Sequence, residues 1–161
     1  MFAKKEKLLL FPANGTLIPL SEVPDEVFSS GMLGIGAAVL PSEGSIYAPM
    51  SGRIESIADS RHAYTLVSED GVELMIHIGI DTVSLRGKGF LSLVSKGERV
   101  RAGDRLARVD LEVLKQEKLP SHVIVLITDP DTVDHFTVRS GQGLGGKSEL
   151  AVYRLPNRKK E

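Results

Sequence analysis

A chain of 161 residues can bury roughly two-thirds of the surface its unfolded form exposes, and with no cysteine it draws on no disulfide framework. A net charge of -1 and a pI near 6.4 exclude the electrostatic footprint of a general nucleic-acid binder. No apolar run reaches membrane-spanning length, and "MFAKKEKLLLF" is broken at Pro12 without a small-residue cleavage site; no transmembrane segment or secretory leader is expected, and a cytoplasmic location is.

In chain order the predicted strands are "KLLLF", "TLIPL", "AAVL", "SIYA", "RIESI", "AYTLV", "VELMIHI", "FLSLV", "RLARV", "HVIVLIT", "HFTV" and "LAVYRL". Between them "PANG", "SEVPDE", "PSEG", "SEDG", "RGKG", "SKGE" and "RAGD" supply the Gly, Pro, Asn and Asp that reversals need. Only "LEVLKQEK" reads as a helical turn or two. The expected fold is all-β, an antiparallel sandwich or barrel-sandwich hybrid, in one domain over 1–161 with its core at about 10–153 and short tails, the C-terminal one basic and solvated. A weak repeat is visible: "FPANGTLIPL" and "APMSGRIESI" each place Pro, two residues, Gly and then an alternating strand, which suggests two equivalent turns.

Within "GVELMIHIGIDTV" a period of two puts Val72, Leu74, Ile76, Ile78 and Ile80 on one face. Glu73, Met75, His77, Gly79 and Asp81 share the other, so His77 is expected to point away from the core. The preceding run "SRHAYTLV" brings a second histidine through a hairpin. If Val67 pairs with Val72 across a four-residue loop, His62 stands opposite His77 with Cβ atoms roughly 4.5–5.5 Å apart. A tight Asp70-Gly71 turn would leave them diagonal, and a three-residue loop would put them on opposite faces.

Taken singly, either residue reads as an ordinary surface histidine. Paired, and with Ser60 and Asp81 close in sequence, they form a constellation that a plain sandwich does not require. A zinc site is one option, but it wants three or four ligands and only a carboxylate such as Asp81 is at hand. Nucleophilic catalysis is the other. One ring nitrogen attacks while the other is held by a backbone carbonyl, and the second imidazole stabilises a transferred phosphoryl group. No Walker-type motif or dinucleotide fingerprint is present, so the phosphoryl donor is expected to be another protein.

The segments "VPDEVFSSGMLGIG", "LPSEG", "APMSGRI", "RHAYTLVSEDGVELMIHIGIDTVSLRGKGF" and "GERVRAGDRL" together resemble the glucose-type enzyme IIA proteins of the bacterial phosphoenolpyruvate-dependent sugar phosphotransferase system, from about Leu10 to Tyr153. The resemblance implies an antiparallel β-sandwich. It also implies that His77 accepts a phosphoryl group on Nε2 from the histidine phosphocarrier protein and passes it to a cysteine of the IIB domain of a sugar permease. By the same resemblance His62 contacts the phosphoryl group without being phosphorylated, Ser60 supplies a hydroxyl where threonine is usual, and the Gly79 backbone fixes the His77 tautomer. Val27, Met32, Leu33, Met75 and Val83 match an apolar docking collar, and Asp25 and Asp81 match carboxylates that meet a phosphocarrier arginine. No cofactor or metal is implied.

Departures from the family pattern are Ile35 between Gly34 and Gly36, Ala58 for an aromatic, Arg61 before the second histidine, and His122 for a proline; they bear on partner choice rather than on chemistry. Two alternatives accompany this reading. A zinc-binding hydrolase on a related sandwich would need a His-x-His pair, but Ile78 is followed by Gly79. A swinging-arm carrier would need a displayed lysine, for which only Lys88 in "RGKGF" is suited.

Overall fold

The computed structural model describes residues 6–156. The first five residues, and the basic stretch from Asn157 onward that was expected to be a solvated tail, lie outside the described residues. The strands are β1 (Glu6–Leu10), β2 (Gly15–Pro19), β3 (Ile35–Pro41), β4 (Ser45–Tyr47), β5 (Gly52–Ile57), β6 (Ala63–Val67), β7 (Glu73–Ile78), β8 (Phe90–Ser92), β9 (Arg99–Val100), β10 (Arg105–Val109), β11 (Val123–Ile127), β12 (Asp134–Val138), β13 (Gln142–Gly143) and β14 (Glu149–Arg154). Every run predicted as a strand is one. The additions, β9 and β13, are two residues long and too short to show a period.

Among the described residues there are two α-helices, α1 (Glu26–Ser29) and α2 (Leu111–Gln116). The second matches the expected helical turn. The first corrects "SEVPDE" as a plain reversal: the Asp25 side chain accepts from Val27 N–H and starts a single turn of helix.

Pairing is antiparallel throughout, in an eight-stranded sheet of order β13-β2-β3-β11-β7-β6-β5-β9 and two three-stranded sheets, β1-β14-β12 and β4-β10-β8. Alternation sends Leu66, Leu74, Ile76, Ile78, Val123 and Val125 into the main core between the sheets. The fold is therefore the expected all-β sandwich. A second, smaller cluster lies on the other face of β3, β11 and β7, where α1 lays Phe28 over Ala38, Ile124 and Leu126. β11 is buried on both faces as a result.

The sheet order reads as a palindrome, which makes the sequence repeat structural. Chain order β1-β2-β3-β11-β12-β13-β14 matches β4 through β10 strand for strand, the second set being inserted after β3. The hydrogen bonds repeat too. Leu10 N–H donates to Pro49 O (2.9 Å) as Tyr47 N–H does to Pro12 O (2.8 Å), and Gly146 N–H meets Phe11 O as Gly103 N–H meets Ala48 O, both at 2.8 Å. Gly15 and Gly52 occupy equivalent strand starts, and a Cβ on either would strike a neighbouring carbonyl, Leu40 O at 2.1 Å or Val67 O at 2.6 Å.

Candidate functional site

The hairpin joining β6 and β7 closes with Ser68 N–H on Val72 O, and Gly71 takes a φ of 83°. This is the three-residue loop, and it pairs Ala63, not His62, with His77. The register expected from Val67 opposite Val72 is thus wrong by one residue. Strict alternation would then separate the histidines, yet their ring centroids are 5.0 Å apart with planes at 85°. The reason is local. His62 precedes the strand, Arg61 is left-handed (φ 59°) and its N–H folds back to Ala58 O, so the chain entering β6 does not follow the pleat. The His62 carbonyl still accepts from Ile78 N–H at 2.7 Å, which ties that irregular entry to the end of β7.

His77 is half-buried and does face away from the main core, but onto the second cluster: the Phe28 ring lies 4.9 Å from its ring, tilted by 55°. Past Ile78 the alternation ends. Gly79 (φ 78°) and Asp81 (φ 59°) are both left-handed, which turns Ile80 into the second cluster and not onto the main-core face where period two placed it. Parity therefore says nothing about Asp81. The turn is held by Thr82, whose buried hydroxyl donates to Ile78 O at 2.6 Å, and by Gly79 N–H on His122 O at 2.7 Å. Only glycine fits at 79: a Cβ there would lie 2.4 Å from Thr82 Cγ2 and 3.1 Å from Pro120 O.

That turn aims the Gly79 carbonyl at His77 Nδ1, 2.8 Å away. A carbonyl only accepts, so Nδ1 carries the hydrogen and Nε2 keeps its lone pair. Burial, then the neighbouring His62, hold the His77 pKa below its usual 6.5, against the opposing pull of the Gly79 carbonyl, Asp25 and Asp81. Burial likewise lowers His62, whose Nδ1 has no hydrogen-bond partner. Both imidazoles are therefore predominantly neutral at pH 7. Ser60 is half-buried, and its hydroxyl bonds neither ring.

Val27 on α1, Met32 and Leu33 in the turn after it, and Val83 in the 3-10 turn after β7 are 47%, 76%, 37% and 57% exposed, so apolar side chains stand open on the elements that flank His77. Met75 differs: it is half-buried against the second cluster. Asp25 is engaged through Oδ1 as the cap of α1, while Asp81 is exposed. Phe28 and Thr82, which pack His77 and shape its turn, were not singled out from the sequence; a capped "DEVF" and the threonine after "GID" are the signals they leave.

This arrangement suits a phosphoryl acceptor: a neutral imidazole with its reactive nitrogen free, a second imidazole within reach, and apolar surroundings. The family described as phosphoenolpyruvate-dependent sugar phosphotransferase system, EIIA 1, matches residues 7–133. Glucose permease IIA from Mycoplasma capricolum is 36% identical and shares the fold with a TM-score of 0.85, over 94% of this chain and 98% of that one. The chain belongs to the EIIA family of the sugar phosphotransferase system and is a phosphoryl carrier of that system. Neither the zinc hydrolase nor the swinging-arm carrier gains support. Among the described residues no three His, Asp or Glu side chains assemble as metal ligands, and none of the helices is long and apolar enough to cross a membrane.

Proposed function

We propose that His77 is the phosphoacceptor and that phosphate travels through a phosphohistidine at its Nε2. The observation that carries this is the Nδ1–H bond to Gly79 O, which leaves Nε2 as the only nucleophilic nitrogen on the ring. Nε2 attacks the phosphorus of a phosphohistidine on the histidine phosphocarrier protein. The bond to the donor's ring nitrogen breaks, and that nitrogen keeps the electron pair. In the second step a cysteine thiolate of a permease IIB domain attacks, and Nε2 of His77 is the leaving group.

His62, 5.0 Å away ring to ring, stabilises the phosphoryl oxygens as charge gathers on them. When neutral it donates from Nε2 with Nδ1 unprotonated, and Ser60, two residues away, is proposed to orient the histidine pair through its hydroxyl. Val27, Met32, Leu33, Met75 and Val83 form the apolar docking rim, and Asp25 and Asp81 meet the donor's arginine. These transfers take place in the cytoplasm.

Intact mass spectrometry after incubation with phosphoenolpyruvate, the general phosphotransferase enzyme and the phosphocarrier tests the assignment. Wild type should gain one phosphoryl group and His77→Ala none. His62→Gln should be labelled slowly and should fail to pass the group to a IIB domain. Labelling of His77→Ala at the wild-type rate overturns the proposal, and normal onward transfer by His62→Gln overturns the role of His62.

A further inference from the structure

The two halves of the fold provide an internal control for side chains that the architecture itself does not demand. Each half builds a groove where the edge strand meets the start of its neighbour. In one, Gln142 of β13, Thr16 of β2 and Leu40 of β3 stand side by side in register. In the other, the equivalent rung is Arg99 of β9, Arg53 of β5 and Val67 of β6. The first groove, about 480 Å³, has no ionisable side chain in its lining. The second, about 870 Å³, is lined by four cations, Lys7, Arg53, Arg99 and Arg101, with Glu69 and Asp70 as its carboxylates.

Two guanidinium groups directly opposite each other on one face repel, and the neutral Thr16–Gln142 rung shows that the fold has no need of them. Their existing counter-charges are all solvent-exposed. Arg99 meets Glu69 only at 3.8 Å with both side chains largely exposed, Lys7 meets Asp70 at 3.4 Å, and Arg53 pairs at 2.6 Å with Glu55 on its own strand. The Arg101 guanidinium has no carboxylate partner among the described residues. Exposed pairs of this kind contribute little and exchange readily for a stronger anion. A planar fork of donors matches phosphate oxygens in a bidentate way, and two forks side by side suit the several oxygens of one phosphate group.

We infer that the Arg53–Arg99–Arg101 groove binds a phosphate group, carried either by a small soluble phosphate ester or by an anionic lipid headgroup. The groove is separate from the histidine pair: Val67 lies four residues along β6 from Ala63, the residue opposite His77, or roughly 13 Å at the usual rise.

The test uses the full chain, 15N-labelled, titrated at constant ionic strength with inorganic phosphate and, separately, with vesicles of phosphatidylglycerol and phosphatidylcholine in equal proportion. Chloride and pure phosphatidylcholine are the references. Amide signals of Arg53, Ser68, Arg99 and Arg101 should move saturably while those of Thr16 and Gln142 stay in place. Arg53→Gln with Arg99→Gln should weaken binding at least about tenfold and leave phosphorylation at His77 unchanged. Saturation by phosphate assigns a soluble ester, and a response to the anionic vesicles alone assigns a lipid headgroup. An equal response to the reference titrants, equal movement of the Thr16–Gln142 rung, or unchanged binding by the double variant overturns the inference.

Discussion

At Gly79 two demands meet in one residue. Its left-handed backbone turns the carbonyl onto His77 Nδ1, and its missing Cβ leaves room for Thr82 and Pro120. Gly79→Ala should therefore cost about 2 kcal/mol or more in stability and slow phosphoryl acceptance out of proportion to that loss, since the carbonyl moves with the strain. Chemical denaturation beside transfer kinetics checks this, and a variant with wild-type stability and rate would contradict it. The histidines also set a pH dependence. His62, His77 and His122 are all held below 6.5, chiefly by burial, so on acidification the unfolded chain takes up protons before the folded one does. Their contribution to stability is complete above 6.5 and is lost as pH falls from 6.5 toward the folded values. Urea midpoints should drop as pH falls below 6.5, and drop less steeply in His122→Gln. A flat profile, or the same slope in the variant, would count against burial as the cause.

Helix α1 shows how an element of one turn serves the site from outside the sheet. It exists because Asp25 caps it, and it delivers Phe28, 7% exposed, against His77. Asp25→Ala should cost about 1 kcal/mol through the lost cap, whereas Asp25→Asn keeps the cap and removes only the charge. Asn also tolerates the left-handed backbone of Asp81, so Asp25→Asn with Asp81→Asn isolates electrostatics. That double variant should be phosphorylated a few-fold more slowly at low salt and show a shallower salt dependence, because exposed pairs act mainly on association. Identical stopped-flow rates and salt slopes would remove the docking role. Of the β-strands around this element, β7 was legible because alternation repeats over six residues, and β11 because it is an unbroken run of branched apolar residues. A four-residue helix leaves no such period, and its contact with His77 joins segments 49 residues apart in sequence. The histidine pair was legible for a partly wrong reason. Its proximity was expected from a register that the three-residue loop forbids, and it arises from the left-handed Arg61, a conformation that arginine does not advertise.

For the whole molecule, duplication accounts for the palindromic sheet, and the faint Pro-x-x-Gly echo was its one sign noted in the sequence. The matching hydrogen bonds around Phe11 and Ala48 make the two strand starts equivalent in kind but not in tightness. Gly15→Ala and Gly52→Ala should both lower the melting temperature, Gly15→Ala by more, since its Cβ would come nearer to a backbone carbonyl. A tolerated alanine at either position would contradict that packing. Only one half carries the His62–His77 pair, and there the eight-stranded sheet, α1 and the Gly79 turn converge on a single nitrogen. Long-range 1H–15N and 31P spectroscopy on phosphorylated protein with 15N-labelled histidine tests that claim most directly. The account predicts a phosphorus coupled to Nε2 of His77, with Nδ1 still protonated; a phosphoryl group on Nδ1 of His77, or on either nitrogen of His62, would contradict it.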